Sequence, residues 1–301
     1  MKLVSYIKDD REQLALLVEG ILYDTDSLHP DLPSSMNMLL NYWEDYFPLA
    51  KKINESIEWG KISLSKGLPL ESVKLLPPIP IPASCRKVLV RNHGEKKMPP
   101  AFSYCNHHAI QAAGEVLCMP DAFEGLKFEA GISIVIGTHG RNITAEEADQ
   151  YIGGFLISNL ITTTNYLTGD EGSVSHANIR EVASIFGPWL VTPDELESFK
   201  VDAEEGRAGN KYNLVTAYSI NSGDINYSNL SELSYDFAEI IESCSYGADL
   251  HAGDIISCSL PGRPGGSIKE GDVIEIEIDG LGISTSTIIA ENTDYSLKLN
   301  Q

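Results

Sequence analysis

The sequence predicts an α+β fold dominated by β structure, and three observations carry that prediction. Short segments of alternating or continuous apolar residues recur along the chain, helix starts are few, and Gly-Asp and Asp-Gly turns separate the segments. At 301 residues the chain can bury a large core, as one big domain or two of ordinary size.

Residues 1–80 are expected to form a small N-terminal α/β module, and 81–301 a larger domain. The module opens with a strand, KLVSYI. A helix is expected from Ser34-Ser35 onward, with Met38, Leu39 and Tyr42 on one face, and another through Leu49, Ile53 and Ile57. The run PPIPIP, Pro77 to Pro82, imposes an extended rod and makes a natural linker.

Val88 to Val90 opens the second part as a strand. LKFEAGISIVIG, Leu126 to Gly137, reads as a strand buried on at least one face, because Phe128, Ala130, Ile132 and Ile134 alternate before the run turns continuous. Thr144 with Glu147 has capping-box spacing, and Ala148, Tyr151, Ile152 and Phe155 then repeat at helical intervals. Thr192-Pro193-Asp194-Glu195 marks a second helix start, with proline at the first helical position. A third helix is expected over Ser234 to Cys244, burying Phe237, Ile240, Ile241 and Cys244. The last third is β: LHAGDIISCSL and IKEGDVIEIEI each lead from Gly-Asp into a strand, and Asp279-Gly280 turns the chain.

Within the buried strand at 126–137 stands one carboxylate, Glu129. A charge in such a strand is costly without a partner, so Glu129 marks a candidate site; the plain alternative is that it faces outward on the polar side of the pleat.

Forty-three acidic residues against 22 basic ones give a formal charge of −21. That balance argues against nucleic acid and anionic membranes as partners. The longest apolar runs are too short to span a bilayer, and the first residues show no apolar signal core, so a cytoplasmic location is expected. Five cysteines, with no CxxC spacing, suggest neither a disulfide framework nor a zinc site.

Taken in order, these features resemble the fumarylacetoacetate hydrolase family over nearly the whole chain. LPLESVKLLPPIPIP and Arg91-Asn92-His93 are similar to that family's N-terminal module and the entry to its catalytic domain. KFEAGISIVIGTHGRNITAEEADQYIGGFLISN is similar to its central strand and helix; FGPWLVTPDEL, LHAGDIISCSLPG and IKEGDVIEIEIDGLG resemble three further landmarks. The resemblance implies a mixed β-sheet roll with a small N-terminal domain, as a homodimer.

It also implies a divalent metal held by three carboxylates, and here the chain departs from the pattern. Glu129 matches the first position, but the second falls on Gly131 and the third on Leu160, just after Asn159. Magnesium and calcium need hard oxygen ligands, so no tightly held metal is expected, and no other cofactor. The family's arginine falls on Thr164, in the run that starts at Thr162, and the lysine ahead of its GPW falls on Asn178. Its FxKP lysine falls on Cys105, and its carboxylate-binding second threonine on Leu260. Of its His-Glu dyad only His93 and Glu95 remain nearby, on a loose alignment. Loss of the acids together with the cations suggests a pocket refitted for a neutral, more apolar small molecule.

His93, Glu129 and Cys105 are therefore the candidate catalytic groups: His93 and Glu129 as acid–base residues, Cys105 as a nucleophile with His107 on its face of the strand and His108 on the other. A small buried hydrophobe is the plain alternative for Cys105, and a structural or surface role for His107 and His108. Glu95, His107, Asn159, Thr162, Thr164, Asn178 and Leu260 are candidate substrate-binding residues. His176 falls in the loop 168–180, either a lid or an ordinary exposed loop. The expected function is a metal-independent enzyme of secondary metabolism, acting on a small neutral β-dicarbonyl or polyketide-like molecule by acid–base chemistry: isomerisation, dehydration, cyclisation or C–C cleavage. A catalytically inactive relative that binds a small molecule or a protein is the alternative. Metal-dependent acylpyruvate-type hydrolysis, with magnesium or calcium, is a third.

Overall fold

The computed structural model describes residues 1–61, 67–89, 92–93, 96–97, 99–118, 125–163, 182–201, 207–262 and 265–291, with backbone alone at 92–93 and 96–97. Its architecture is α+β and β-dominated. One large mixed sheet runs, along its main path from Ile21–Asp24 onward, through Arg11–Val18, Lys2–Lys8, Leu190–Val191, Ile152–Thr163, Leu126–Ile136, Ile255–Ser259 and Cys85–Leu89 to Ala101–Cys105. A five-stranded sheet, in the order Gly114–Cys118, Gly282–Ala290, Val273–Ile278, Val215–Ile220 and Asn226–Asn229, packs against it. Backbone pairing crosses residue 80: Lys2 faces Val191 and Leu3 faces Leu190.

Leu126–Ile136 is the central strand, and its two faces meet different neighbours because successive side chains point opposite ways. Phe128, Ala130, Ile132 and Ile134 are buried in a core shared with Ile274, Ile276 and Ile278 of the second sheet and with the helix Phe237–Ser245. On the other face Val135, with Leu156 of the next strand, packs under Met36, Leu39, Leu40, Ala50 and Ile57. Those residues belong to the helices Met36–Asn41 and Trp43–Glu58, the two expected in the N-terminal module. The Ser35 hydroxyl accepts from the Met38 amide to start the first of them.

The third expected helix is present as Phe237–Ser245. Its N-cap is a capping box between Asp236 and Glu239, in which the Asp236 amide donates to the Glu239 carboxylate at 2.8 Å. Two other expectations are overturned. After a single 3₁₀ turn at Ala148–Tyr151 the chain extends as the strand Ile152–Thr163, not as a helix. It pairs with the central strand from Leu126 opposite Thr163 to Ile136 opposite Ile152. Gly153-Gly154 is a poor helix interior and the following Ile and Thr residues favour a pleated surface, so tertiary pairing overrides the helical spacing. Gly153 also meets the backbone of Gly137 so closely that a Cβ there would lie 2.9 Å from its Cα. Thr144 and Glu147 are joined by a turn, the Glu147 amide donating to the Thr144 carbonyl at 3.1 Å and the Thr144 hydroxyl to the Glu147 carboxylate at 3.2 Å, and no α-helix follows. The second start, Pro193–Phe199, is likewise 3₁₀ rather than α.

Asp149, in the 3₁₀ turn, accepts from the Asn210 amide at 2.7 Å, while its Oδ1 is buried with no hydrogen-bond partner among the described residues. Burial raises the carboxyl above its ordinary value, against the opposing pull of that hydrogen bond and of the Lys200 charge. A carboxyl raised in the fold holds its proton more readily there than in the unfolded chain. Its charged form therefore weakens the fold at neutral pH, and that cost fades as pH falls through the raised value. Asp149→Asn is expected to melt above the wild type at neutral pH, with the gap closing toward about pH 4. Thermal unfolding across that range measures it.

Candidate active site

Glu129 emerges where the helix-covered face of the central strand ends. Along that face Val135 is apolar, Ser133 is buried and bonds Ser257 Oγ at 2.8 Å, Gly131 has no side chain, and Glu129 reaches a cavity of about 1110 Å³. Leu160 stands directly opposite it on the neighbouring strand and Gly265 on the other side. The side chain keeps about one third of its surface exposed.

Both carboxylate oxygens of Glu129 are engaged. Lys87 Nζ forms an ion pair with Oε2, and the Ser259 hydroxyl donates to Oε1. Lys87 comes from Cys85–Leu89, Ser259 from Ile255–Ser259, and Glu129 from the strand beyond, so three adjacent backbones fix the constellation. Lys87 is only 5% exposed, and all three residues line the cavity. The rest of the wall is mixed: Val88, Leu89, Phe128, Leu233 and Leu260 give it apolar stretches, and Lys127, Thr162, Glu232, Ser234 and Ser267 lie among them.

Of the candidate residues read from sequence, the structure brings Glu129, Thr162 and Leu260 to this cavity. Thr162 pairs across from Lys127, and the Leu260 amide bonds the Ala130 carbonyl at 3.1 Å. Asn159 is not among the lining residues. It pairs with Ala130, so it points to the apolar core side, 1% exposed and with neither amide atom hydrogen-bonded within the described structure. Cys105 lies opposite Cys85 and packs against the N-terminal core. The rings of His107 and His108 stand 4.2 Å apart, outside the described lining. The side chain of His93 falls outside the described residues, as do Glu95, Thr164, Asn178 and the loop with His176. Burial pushes the Cys244 thiol up to about 12 and that of Cys118 up to about 11, as suits core hydrophobes.

Lys87 and Ser259 are the site residues that sequence reasoning passed over. A signal for Lys87 was present: Arg86-Lys87 places two cations inside a segment reading Cys-Arg-Lys-Val-Leu, and a strand that must run through a sheet cannot leave both unpartnered. Successive residues point to opposite faces, so Arg86 meets Asp254 at 3.6 Å and Lys87 meets Glu129.

These residues do not suit a dication. The position two residues along the strand is Gly131, where a Cβ would lie 2.6 Å from the Cys258 carbonyl oxygen, and the facing position is Leu160. Among the described residues no three His, Cys, Asp or Glu side chains gather as a metal set. A dication about 2.1 Å from Glu129 gains roughly 16 kcal/mol of gross attraction at an effective dielectric near 20; an ammonium about 4 Å from it returns roughly 8. Lys87 thus opposes about half of what one carboxylate could offer.

Residues 83–289 match the family model described as fumarylacetoacetate (FAA) hydrolase C-terminal. The fold is that of a mixed β roll, and the chain belongs to the fumarylacetoacetate hydrolase family. It is 23% identical over 306 residues to the fumarylacetoacetate hydrolase domain-containing protein 2 homolog of Dictyostelium discoideum, covering 94% of this chain and 95% of that one. To the mitochondrial oxaloacetate tautomerase Fahd2a of Rattus norvegicus it is 21% identical over 289 residues, 90% and 85% of the two chains. To the maleylpyruvate hydrolase of Aquipseudomonas alcaligenes it is 28% identical over 180 residues, 60% and 56% of the two chains. The maleylpyruvate hydrolase of Sphingobium sp. SYK-6, solved with manganese(II) ion and pyruvate, has the same fold: TM-score 0.73 at 19% identity, over 97% of this chain and all of that one. Among the described residues, no helix is long and apolar enough to cross a membrane.

Proposed function

We propose that this protein is an enzyme of isomerase or hydrolase type that acts on a small, enolisable β-dicarbonyl compound by proton transfer, without a divalent metal. The observation that carries the reading is the Lys87–Glu129–Ser259 constellation at the wall of a large, partly apolar cavity. Family relatives named as a tautomerase and a hydrolase support the reaction type. Glu129 is the group that takes the proton from carbon. Thr162 offers a hydroxyl to the ligand's polar end, and the apolar stretches of the mixed wall suit a neutral body.

Keto–enol exchange and hydrolysis of a series of acylpyruvates and neutral 1,3-diketones test it, in EDTA and with added magnesium or manganese. Turnover is expected to be the same in both conditions, and Glu129→Gln to lower it by roughly 100-fold, the scale of losing a positioned general base. Turnover that rises with added metal would overturn the reading.

A further inference from the structure

The site carries a cation of its own. Lys87 is almost wholly buried, its ammonium pairs with Glu129 at the cavity wall, and the Ser259 hydroxyl reaches the same carboxylate. We propose that the Lys87 ammonium, with the Ser259 hydroxyl beside it, binds the ketone oxygen of the ligand and takes up the charge of its enolate. This rests on the metal-free reading above and names the group that makes it workable.

The charges balance through the step. At rest the pair is neutral, one ammonium against one carboxylate. When the carbon–hydrogen bond breaks, the proton goes to a Glu129 oxygen and the electron pair moves through the new carbon–carbon double bond to the ketone oxygen. Lys87 then faces an enolate in place of the carboxylate it faced before. The site holds one positive and one negative charge throughout, and no net charge is created in a partly buried place. A carboxylate paired to an ammonium is by itself a poor base. Here the ammonium transfers its stabilisation from base to product, so the pairing does not resist the reaction.

The ligand class follows from the same groups. A point charge with three donor protons and one hydroxyl suits a single anionic oxygen, without the two-oxygen chelation a dication imposes. Val88, Leu89, Phe128, Leu233 and Leu260 offer apolar stretches to the remainder, and the opposite charges of Lys127 and Glu232 on the same wall favour no net charge on it. The structure assigns the site to neutral ketones that enolise, above all 1,3-diketones, over 2-oxo dicarboxylates.

Acetylacetone, a neutral 1,3-diketone whose enolate has its own ultraviolet band, is the probe. Titrated into wild-type protein in EDTA at neutral pH, it is expected to give a saturable enolate band. Lys87→Met should weaken binding about 10- to 100-fold, the scale of one charge-assisted hydrogen bond. That variant leaves Glu129 without its ammonium, so the double variant Lys87→Met/Glu129→Gln repeats the test with no stranded carboxylate, and it too should lose the band. Glu129→Gln alone keeps the cation and should keep the band. Wild-type binding by the double variant, or no band in the wild type, overturns the role of Lys87 while metal-free turnover can still stand. A band that forms only when manganese is added overturns the metal-free reading as well.

Discussion

Placing a glutamate at position 131, the change that would add a second acid beside Glu129, is expected to cost about 3 kcal/mol or more of stability and to create no metal site. The obstacle is backbone. A Cβ at Gly131 would lie 2.6 Å from the Cys258 carbonyl oxygen and 2.7 Å from Ser158 Oγ. The serine can rotate, but the carbonyl belongs to Ile255–Ser259, which is bonded in register along the central strand. Moving it would disturb Ser259 and the Ser133–Ser257 hydrogen bond together. Gly131→Ala separates crowding from charge. Alanine gains roughly 0.4–1 kcal/mol through the unfolded chain, which cannot offset such a contact. Urea unfolding should therefore show most of the loss already in the alanine variant. Magnesium or manganese should leave the midpoint of Gly131→Glu unchanged. A Gly131→Glu protein as stable as wild type, with a midpoint that climbs with metal, would show that these strands can part.

How far the sequence disclosed this site turns on which signals are local. Glu129 was legible because a carboxylate amid Phe128, Ala130, Ile132 and Ile134 is anomalous on its own strand, whatever lies beside it. The helix at 237–245 was legible from its cap and apolar stripe, and the two N-terminal helices in position, but Met38 and Tyr42, expected on the apolar face of the first, are exposed, and Met36 and Leu40 are buried with Leu39 instead. Ile152–Thr163 was not, because nothing within it says that its twelve residues will be claimed by the central strand. Ala148, Tyr151, Ile152 and Phe155 fall at helical intervals, and only the pairing partner decides against them. The same reason hid Lys87. Its meaning depends on register across two strands: Lys87 beside Ser257, Ser257 beside Ser133, and Ser259 beside Gly131, two residues from Glu129. Cys105 and Asn159 show the converse. Family resemblance put both near the site, but strand alternation turns Asn159 toward the core, while Cys105 shares the face of Lys87 and lies farther along it, opposite Cys85 and against the N-terminal core.

Arg86, the other cation in that strand, should prove among the costliest surface-to-core charges to remove, for reasons unrelated to catalysis. It is 4% exposed and lies 5.6 Å from the Phe102 ring centroid and 5.4 Å from that of Tyr104. Its Nη2 donates to the Asp249 carbonyl at 3.3 Å, and its Nη1 faces Asp254 at 3.6 Å, an ion pair without a direct hydrogen bond. Asp254 is equally buried and accepts from Ser84 Oγ and the His251 amide, both at 2.9 Å. Those two bonds hold the carboxylate in place but do not neutralise it. Arg86→Met should therefore lower stability by about 3–5 kcal/mol, most of it the cost of leaving Asp254 charged and alone. Asp254→Asn keeps an acceptor for the Ser84 and His251 donors while removing the charge. In the double variant Arg86→Met/Asp254→Asn, the loss should be smaller than in Arg86→Met alone, which a double-mutant cycle in urea resolves. Equal losses in the two would assign the effect to packing against Phe102 and Tyr104 in place of charge. Lys87, one residue on, differs because its carboxylate partner keeps about a third of its surface in the cavity. Water can reach that carboxylate when the ammonium is gone, so Lys87→Met should fold where Arg86→Met is strained. On the enolate-binding proposal above, that difference would let the pair at Lys87 be exchanged for a ligand, while the pair at Arg86 holds the strand.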